Sequence, residues 1–323
     1  MIKLRIILIP LFLFGSLTRI SAQQDSARIM ADSSRLSRQQ QSKGEYHLKP
    51  EFVAALPATL NETSGLVYFN SQLWTINDGG NEAALYRVDT AGGKVMRKVT
   101  VINSANTDWE SITQDDSCIY IGDFGNNYGS RKNLQILKIA KHDLLNPVND
   151  AVKAGVISFT YADQVDFSPR LNQTNFDCEA FFFHDDSLHL FSKNWSDQQT
   201  RHYVLPADTG TYTACLTETF NANGLITDAA ISREGEIVLL GYKNGGGKSW
   251  KCFLWVFSNN GSNRLGAGKP VRIGLGSALK LGQSEGLAFG NGHRLWISSE
   301  SISPGGIQLP AKLFRADVSS FSR

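Results

Sequence analysis

Neither sign of charge dominates this 323-residue sequence: Lys and Arg number 32, Asp and Glu 30. The balance excludes the strongly basic field of a nucleic-acid-binding or anionic-membrane domain, so any charge-based function must be local. Cysteine is scarce. Cys118, Cys178, Cys215 and Cys252 form no CxxC pair, and the six histidines share no HExxH-type spacing. A Cys- or His-based zinc site is therefore not expected. The thiols read as buried and free, although three disulfide pairings stay formally open. No apolar run reaches the roughly 20 residues of a membrane-spanning helix. NGGGKS (244–249) is not a phosphate-binding loop, because position 242 is Tyr where the first Gly is required and no helix pattern follows. It reads as a hairpin tip.

The N-terminus, MIKLRIILIPLFLFGSLTRISAQQ, places Lys3 and Arg5 before an apolar stretch from Ile6 to Leu17 and a small-residue end at Ser21-Ala22. This is the three-part pattern of a secretory signal peptide, expected over residues 1–22. The protein is thus expected to be exported, to the periplasm or the exterior, with no transmembrane segment after cleavage. Residues 23–45 are rich in Ser, Gln and Arg and poor in large apolar side chains, the composition of a polar tether. The remainder, 46–320, is expected to be one domain.

Helix-period patterns are scarce there, and short alternating runs bounded by Gly, Asn and Asp dominate, which predicts an all-β fold. The runs repeat. ETSGLVYFNSQLWTINDGG from Glu62, DWESITQDDSCIYIGDFGNN from Asp108, DCEAFFFHDDSLHLFSKNW from Asp177, ITDAAISREGEIVLLGYKN from Ile226 and QSEGLAFGNGHRLWISSE from Gln283 share one layout. A small or acidic residue precedes an apolar strand, and a polar turn leads to a second strand ending in polar residues. Two further strand candidates follow each pair, and the repeat length suits four-stranded propeller blades. The expectation is a five-bladed β-propeller, with six blades as the alternative. EFVAAL, residues 51–56, has no partner in its own unit and is expected on the outside of the last blade.

Aligned on the residue before the first apolar strand, the units give a column of Ser64, Glu110, Glu179, Asp228 and Glu285. First strands line the channel of a propeller, so four carboxyl groups converge where no Lys or Arg of the column neutralises them. Three outcomes are open. The acids hold protons with raised pKa values, they bind a hard cation such as Ca²⁺ with its shell of oxygens, or they bond to backbone N–H groups and stitch blades together. A second polar ring follows the second strands. Asn77, Asp78, Asp123, Asn127, Lys193 and Glu300 form the expected ligand pocket, accompanied by Asn126, Asn194, Tyr242 and Lys243. Arg131 closes the adjoining loop. Turn chemistry accounts for some of these residues. Lys193 is placed to hold an anionic substrate group.

The segments SGLVYFNSQLWTIND, WESITQDDSCIYIGDFG, CEAFFFHDDSLHLFSK and SEGLAFGNG resemble the calcium-activated nucleotidases, or soluble apyrases. The resemblance implies a five-bladed propeller with calcium in its tunnel, held by Ser64, Glu110, Glu179 and Glu285. Asp228 stands where that family has a smaller polar residue. LFSKNW supplies one cation, Lys193, where the family tends to present two arginines. IGDFGNNYGSR, DCEAFFF with LFSKNW, and SEGLAF also resemble exported propellers of Bacteroidota. Two functions follow. One is a calcium-binding module for a small anionic ligand or a surface partner. The other is a calcium-dependent hydrolase of phosphate esters or nucleotides, in which Asp78 or Asp123 orients water and Lys193 or Arg131 stabilises developing charge. The poverty of cations in the pocket favours the binding module.

Overall fold

The computed structural model describes residues 46–244, 250–259, 265 and 269–321. The expected signal peptide, the tether and most of NGGGKS lie outside them. After β1 (Tyr46–His47) and β2 (Glu51–Ala55), the chain forms a meander of β3 (Thr63–Phe69), β4 (Gln72–Asn77), β5 (Ala84–Val88) and β6 (Val95–Val101). Then come β7 (Trp109–Gln114), β8 (Cys118–Asp123), β9 (Leu134–Ala140), β10 (Ala151–Val152) and β11 (Gly155–Tyr161). They are followed by β12 (Cys178–His184), β13 (Ser187–Ser192), β14 (Thr200–Pro206) and β15 (Gly210–Phe220). The last strands are β16 (Leu225–Ile231), β17 (Ile237–Asn244), β18 (Trp250–Phe257), β19 (Val271–Ser277), β20 (Gln283–Phe289), β21 (Arg294–Glu300) and β22 (Lys312–Asp317).

Four sheets result, ordered β10-β6-β5-β4-β3, β1-β19-β18-β17-β16, β2-β22-β21-β20, and an eight-stranded β12-β13-β14-β15-β11-β9-β8-β7. The last contains two meanders joined edge to edge, with β11 parallel to β15 from Ile157↔Gly210 to Tyr161↔Ala214. The strands that begin the meanders, β3, β7, β12, β16 and β20, are buried almost throughout, which explains runs such as LVYF and AFFF without polar alternation. Outer strands alternate instead, as in β6, where Met96 and Lys98 face outward and Val99 is buried. The beginning strands also touch one another in sequence, β3 with β7, β7 with β12, β12 with β16, β16 with β20, and β20 with β3. They enclose an axis. The fold is an all-β propeller.

The core lies between meanders. Val67, Trp74 and Ile76 pack against Ile112, Ile119 and Ile121, and Phe124 and Ile136 against Phe181 and Leu190. Phe182 and Phe191 meet Leu239 and Phe253, and Leu240 and Leu254 meet Leu287 and Ile297. Leu66 and Leu73 pack against Trp296 and Leu313, joining the chain's last sheet to its first.

The N-terminal segment serves two sheets. Glu51–Ala55 pairs antiparallel with β22, from Glu51↔Arg315 to Ala55↔Lys312, so EFVAAL occupies the outer edge of the last sheet. Leu56 and Leu60 continue from it into the cluster of Leu66, Leu73 and Leu313. Tyr46 and His47 add in parallel to β19, one sheet earlier. Among the described residues, no helix is long and apolar enough to cross a membrane.

A chain beginning at residue 46 should melt within about 1 °C of the full chain. One beginning at residue 58 loses both edge pairings and buried Leu56, a loss of about 3 kcal/mol or more, and should melt roughly 5–10 °C lower. Equal melting of the two truncated chains by differential scanning calorimetry is the contrary result.

Candidate metal centre and central cavity

The geometry around the axis follows from one irregularity. In each beginning strand the register slips by a residue against its partner, between Thr63 and Gly65, Trp109 and Ser111, Cys178 and Ala180, Ile226 and Asp228, and Ser284 and Gly286. The unpaired residues are Ser64, Glu110, Glu179, Thr227 and Glu285. A β-bulge re-aims the side chain it carries. Four members of the expected column therefore stand at equivalent positions, but in the fourth unit the position belongs to Thr227, and Asp228 is one residue further along.

That step explains the behaviour of Asp228. The residues following the bulges are Gly65, Ser111, Ala180, Asp228 and Gly286, four of them small, and a Cβ on Gly65 would press on Ser111 and Ile112. Asp228 occupies the room they leave. Its carboxylate accepts from Ser111 Oγ at 2.6 Å across the axis and from the backbone N–H groups of Leu287 at 2.5 Å and Ala229 at 2.9 Å. Asp228 is thus a stitch between strands and not a cavity residue. Ser64 and Thr227 also stitch, donating to the carbonyls of Trp109 and Ser284.

Beyond the bulges lies a cavity of about 610 Å³. Asp78, Lys193, Tyr242 and Glu300 line it, each one residue past the second-strand partner of a residue flanking the bulge. In the second unit the same step gives Phe124, which joins the apolar core. Glu110, Glu179 and Glu285 complete a wall of five carboxyl groups facing one ammonium group. Lys193 Nζ lies 3.0 Å from Glu179 Oε2, and 5.0 and 5.4 Å from the ring centres of Trp195 and Tyr242. Burial pulls the lysine pKa down, but Glu179, Tyr242, Glu285 and Asp177 outweigh it and hold the value well above normal. Lys193 is therefore paired with Glu179, although burial still holds the Glu179 carboxyl well above the usual carboxylate range.

Asp78, Asp108 and Glu110 offer oxygens within 4.8 Å of one another. Glu110 is only 6% exposed, and its carboxylate has no hydrogen-bond partner among the described residues. Burial first, then the charge of Glu179, pushes its pKa well up. Burial likewise raises Asp78 to about 6, against the Gly79 N–H that lowers it and with Asp108 adding to the rise. Asp108 also reaches about 6, from burial only partly offset by Arg131, whose Nη1 is 3.7 Å away. Gly79 and Gly125 permit this crowding. A Cβ on Gly125 would collide with the Glu110 and Asp108 carboxylates, and one on Gly79 with Asp108. Three convergent carboxylates with an unpartnered buried member fit a hard cation that takes oxygen ligands.

The other expected residues divide. Asn127 lines the cavity. Asp123 does not: fully buried, it accepts from Asp108 N, Arg131 Nη2 at 3.0 Å and Gln135 Nε2 at 2.9 Å. Arg131 also donates to Gly125 O at 2.7 Å, so these two candidates for chemistry pin the loop that carries Gly125. Asn77 donates to Thr59 O, while Asn126 and Asn194 serve neighbouring loops. Sequence reading passed over Asp108, Thr227 and the wall residues Trp195, Gln283 and Trp250. Asp108 had a signal, since DWE and DCE place an acid two residues before the bulge in adjacent units.

A pH dependence follows. Asp78 and Asp108 bind protons more tightly folded, at about 6, than at their ordinary 3.8, so the folded state holds more protons between those values. Stability is penalised as pH rises through that window, and the penalty is complete above about 6. In chelator, Asp78→Asn should gain melting temperature on wild type as pH rises from about 4 to 6 and hold the gain above it. A difference that stays flat across the window contradicts this origin.

No protein-family model and no curated protein matches the chain. Among solved structures it is similar to the exo-β-1,3-galactanase of Phanerochaete chrysosporium, with 14% identity and a TM-score of 0.51 over 81% of this chain and 61% of that one. It is also similar to the glutaminyl cyclase of Myxococcus xanthus (10% identity, TM-score 0.46, 84% and 97% covered) and the α-L-arabinanase of Penicillium chrysogenum (8%, 0.44, 84% and 98%). At 14% identity the likeness to the galactanase is one of fold alone.

Proposed function

We propose that this protein is an exported five-bladed propeller that binds calcium beside its axis and uses the adjoining cavity as a binding site for a ligand or partner. The blade count is supported by the circuit of β3, β7, β12, β16 and β20, with an apolar cluster between each consecutive pair of meanders. Export is supported by the N-terminal charge-and-apolar pattern. The observation that carries the calcium reading is Glu110, a buried residue that lines the cavity and whose carboxylate has no hydrogen-bond partner among the described residues, beside Asp78 and Asp108. Of the other column residues, Glu179 is paired with Lys193, Glu285 accepts from Gln283 Nε2 at 2.5 Å, and Ser64 donates to Trp109 O. Glu110 is thus the column residue with a coordination valence to give, and the two aspartates extend it. An anionic group of a ligand would be held through the cation, since Lys193 and Arg131 are already engaged.

A calcium-dependent hydrolase is the second reading. Asp78 and Asp108 would themselves hold the cation, which could polarise a phosphoryl oxygen or a bound water. The absence of a spare cation facing the cavity, among the described residues, weighs against phosphate chemistry.

Calcium at 100 times its Kd adds about 2.7 kcal/mol to the folded state, which should raise the melting temperature by roughly 5 °C or more. Glu110→Gln should weaken calcium binding at least about tenfold by calorimetric titration. Identical melting in calcium and chelator, starting from metal-free protein, removes the calcium reading. Nucleoside di- and triphosphates incubated with protein and calcium should release little or no phosphate. Robust calcium-dependent release that Asp78→Asn abolishes would establish the hydrolase instead.

A further inference from the structure

The cavity is lined by more than the acid triad. Glu285 and Glu300 stand there with Tyr242 and Trp250, and Leu279 and Ile302 form its apolar side. Glu300 has no hydrogen-bond or ion-pair partner among the described residues, and the ring of Trp250 meets that of Tyr242 edge-on at 5.3 Å. Trp250 is 41% exposed and Leu279 53%, so the apolar side continues to the surface.

The protein displays, a few ångströms away, how such a wall receives a cation. Lys193 Nζ sits between the Trp195 and Tyr242 rings with a carboxylate at 3.0 Å, and its stem is buried. Two faces of π-density and one carboxylate make a favourable seat for a desolvated ammonium group. One lysine occupies that seat, but four more carboxyl groups share the cavity, and the nine-tenths-buried Glu110 among them is unpartnered. Space of about 610 Å³ is ample for a small organic ligand and far more than one metal ion fills.

We infer that the cavity binds an alkylammonium group on an apolar stem, with the ammonium at Glu300 and Glu285 beside Tyr242 and the stem along Trp250, Leu279 and Ile302. The ligand is a free primary amine or the lysine side chain of a peptide, since both present this chemistry. A second Lys-like group repeats the Lys193 arrangement with Glu300 in the role of Glu179. The inference builds on the cavity being a binding site and does not require calcium at the triad.

The test is calorimetric titration of the full protein in chelator, so that the outcome is independent of calcium. Hexylamine at pH 7.5, as its ammonium ion, should bind, and hexanol, equal in stem but uncharged, at least about tenfold more weakly. Glu300→Gln should weaken hexylamine about tenfold, and Trp250→Ala about fivefold with melting unchanged. Nα-acetyl-lysine methylamide supplies the other arm. Tighter binding than hexylamine assigns the site to a peptide lysine, and weaker binding to a free amine. Failure of hexylamine to bind, equal binding of hexanol, or full retention of hexylamine binding in folded Glu300→Gln overturns the inference. The calcium titrations stand or fall separately.

Discussion

The structure depends on a one-residue register slip made in every strand that borders the axis. A strand has two faces, and in these strands both are already used, one for each neighbouring meander, as the near-complete burial of β3, β12 and β20 shows. A third direction, toward the axis, exists only where pairing is interrupted. The bulge supplies it, because the extra residue is released from the ladder and its side chain is re-aimed. Every axial group, Ser64, Glu110, Glu179, Thr227 or Glu285, owes its place to that slip.

Once side chains meet at an axis, their chemistry is constrained collectively. Hydroxyls settle the matter locally, since Ser64 and Thr227 each find a neighbouring carbonyl. Carboxylates cannot, because backbone carbonyls accept and do not donate. Asp228 escapes by sitting one residue later, where two backbone N–H groups and a serine face it. Lys193 partly offsets the burial of Glu179, and Lys193 and Gln283 that of Glu285, although burial still raises both pKa values. Glu110 has no such donor among the described residues, and the charges that weigh most on it, those of Glu179, Asp78 and Asp108, are all of its own sign. An ionised group buried without compensation costs several kcal/mol. Such a position is tolerated when it holds a proton or serves a cation, and Gly79 and Gly125 keep it crowded with further oxygens.

Much of this was legible in the sequence, and the limits have physical causes. Strand-turn-strand units were readable because buried beginning strands are apolar on both faces and their turns need Gly, Asn or Asp. The edge position of EFVAAL followed from its lack of a partner. Asp228 was misplaced because a bulge breaks period-2 alternation, so an alignment on one acidic letter cannot tell the unpaired residue from the next. Aligning two letters does not repair this, because D-A at 228–229 matches E-A at 179–180; the register slip between Ile226 and Asp228 is what returns Thr227 to the column. The parallel β11–β15 junction and the pairing of Tyr46–His47 with β19 carried no such signal. Both are edge contacts made through backbone groups, which any sequence offers.

The second ring shows where sequence reading must give way to geometry. Asp78, Asp123, Lys193 and Glu300 look alike as polar ends of second strands, yet Asp123 sits opposite Trp109 whereas the other three lie one residue past the corresponding partners. One step along a strand exchanges its faces. Asp123 consequently turns into its own sheet, where Arg131 and Gln135 neutralise it, and the next residue, Phe124, fills the core where its counterparts reach the cavity. The acid and the arginine that sequence suggested for chemistry instead fix the loop bearing Gly125, and through it the approach of Asp108 to Glu110. Their influence on the site is positional, exerted through backbone that a single added methyl group would displace.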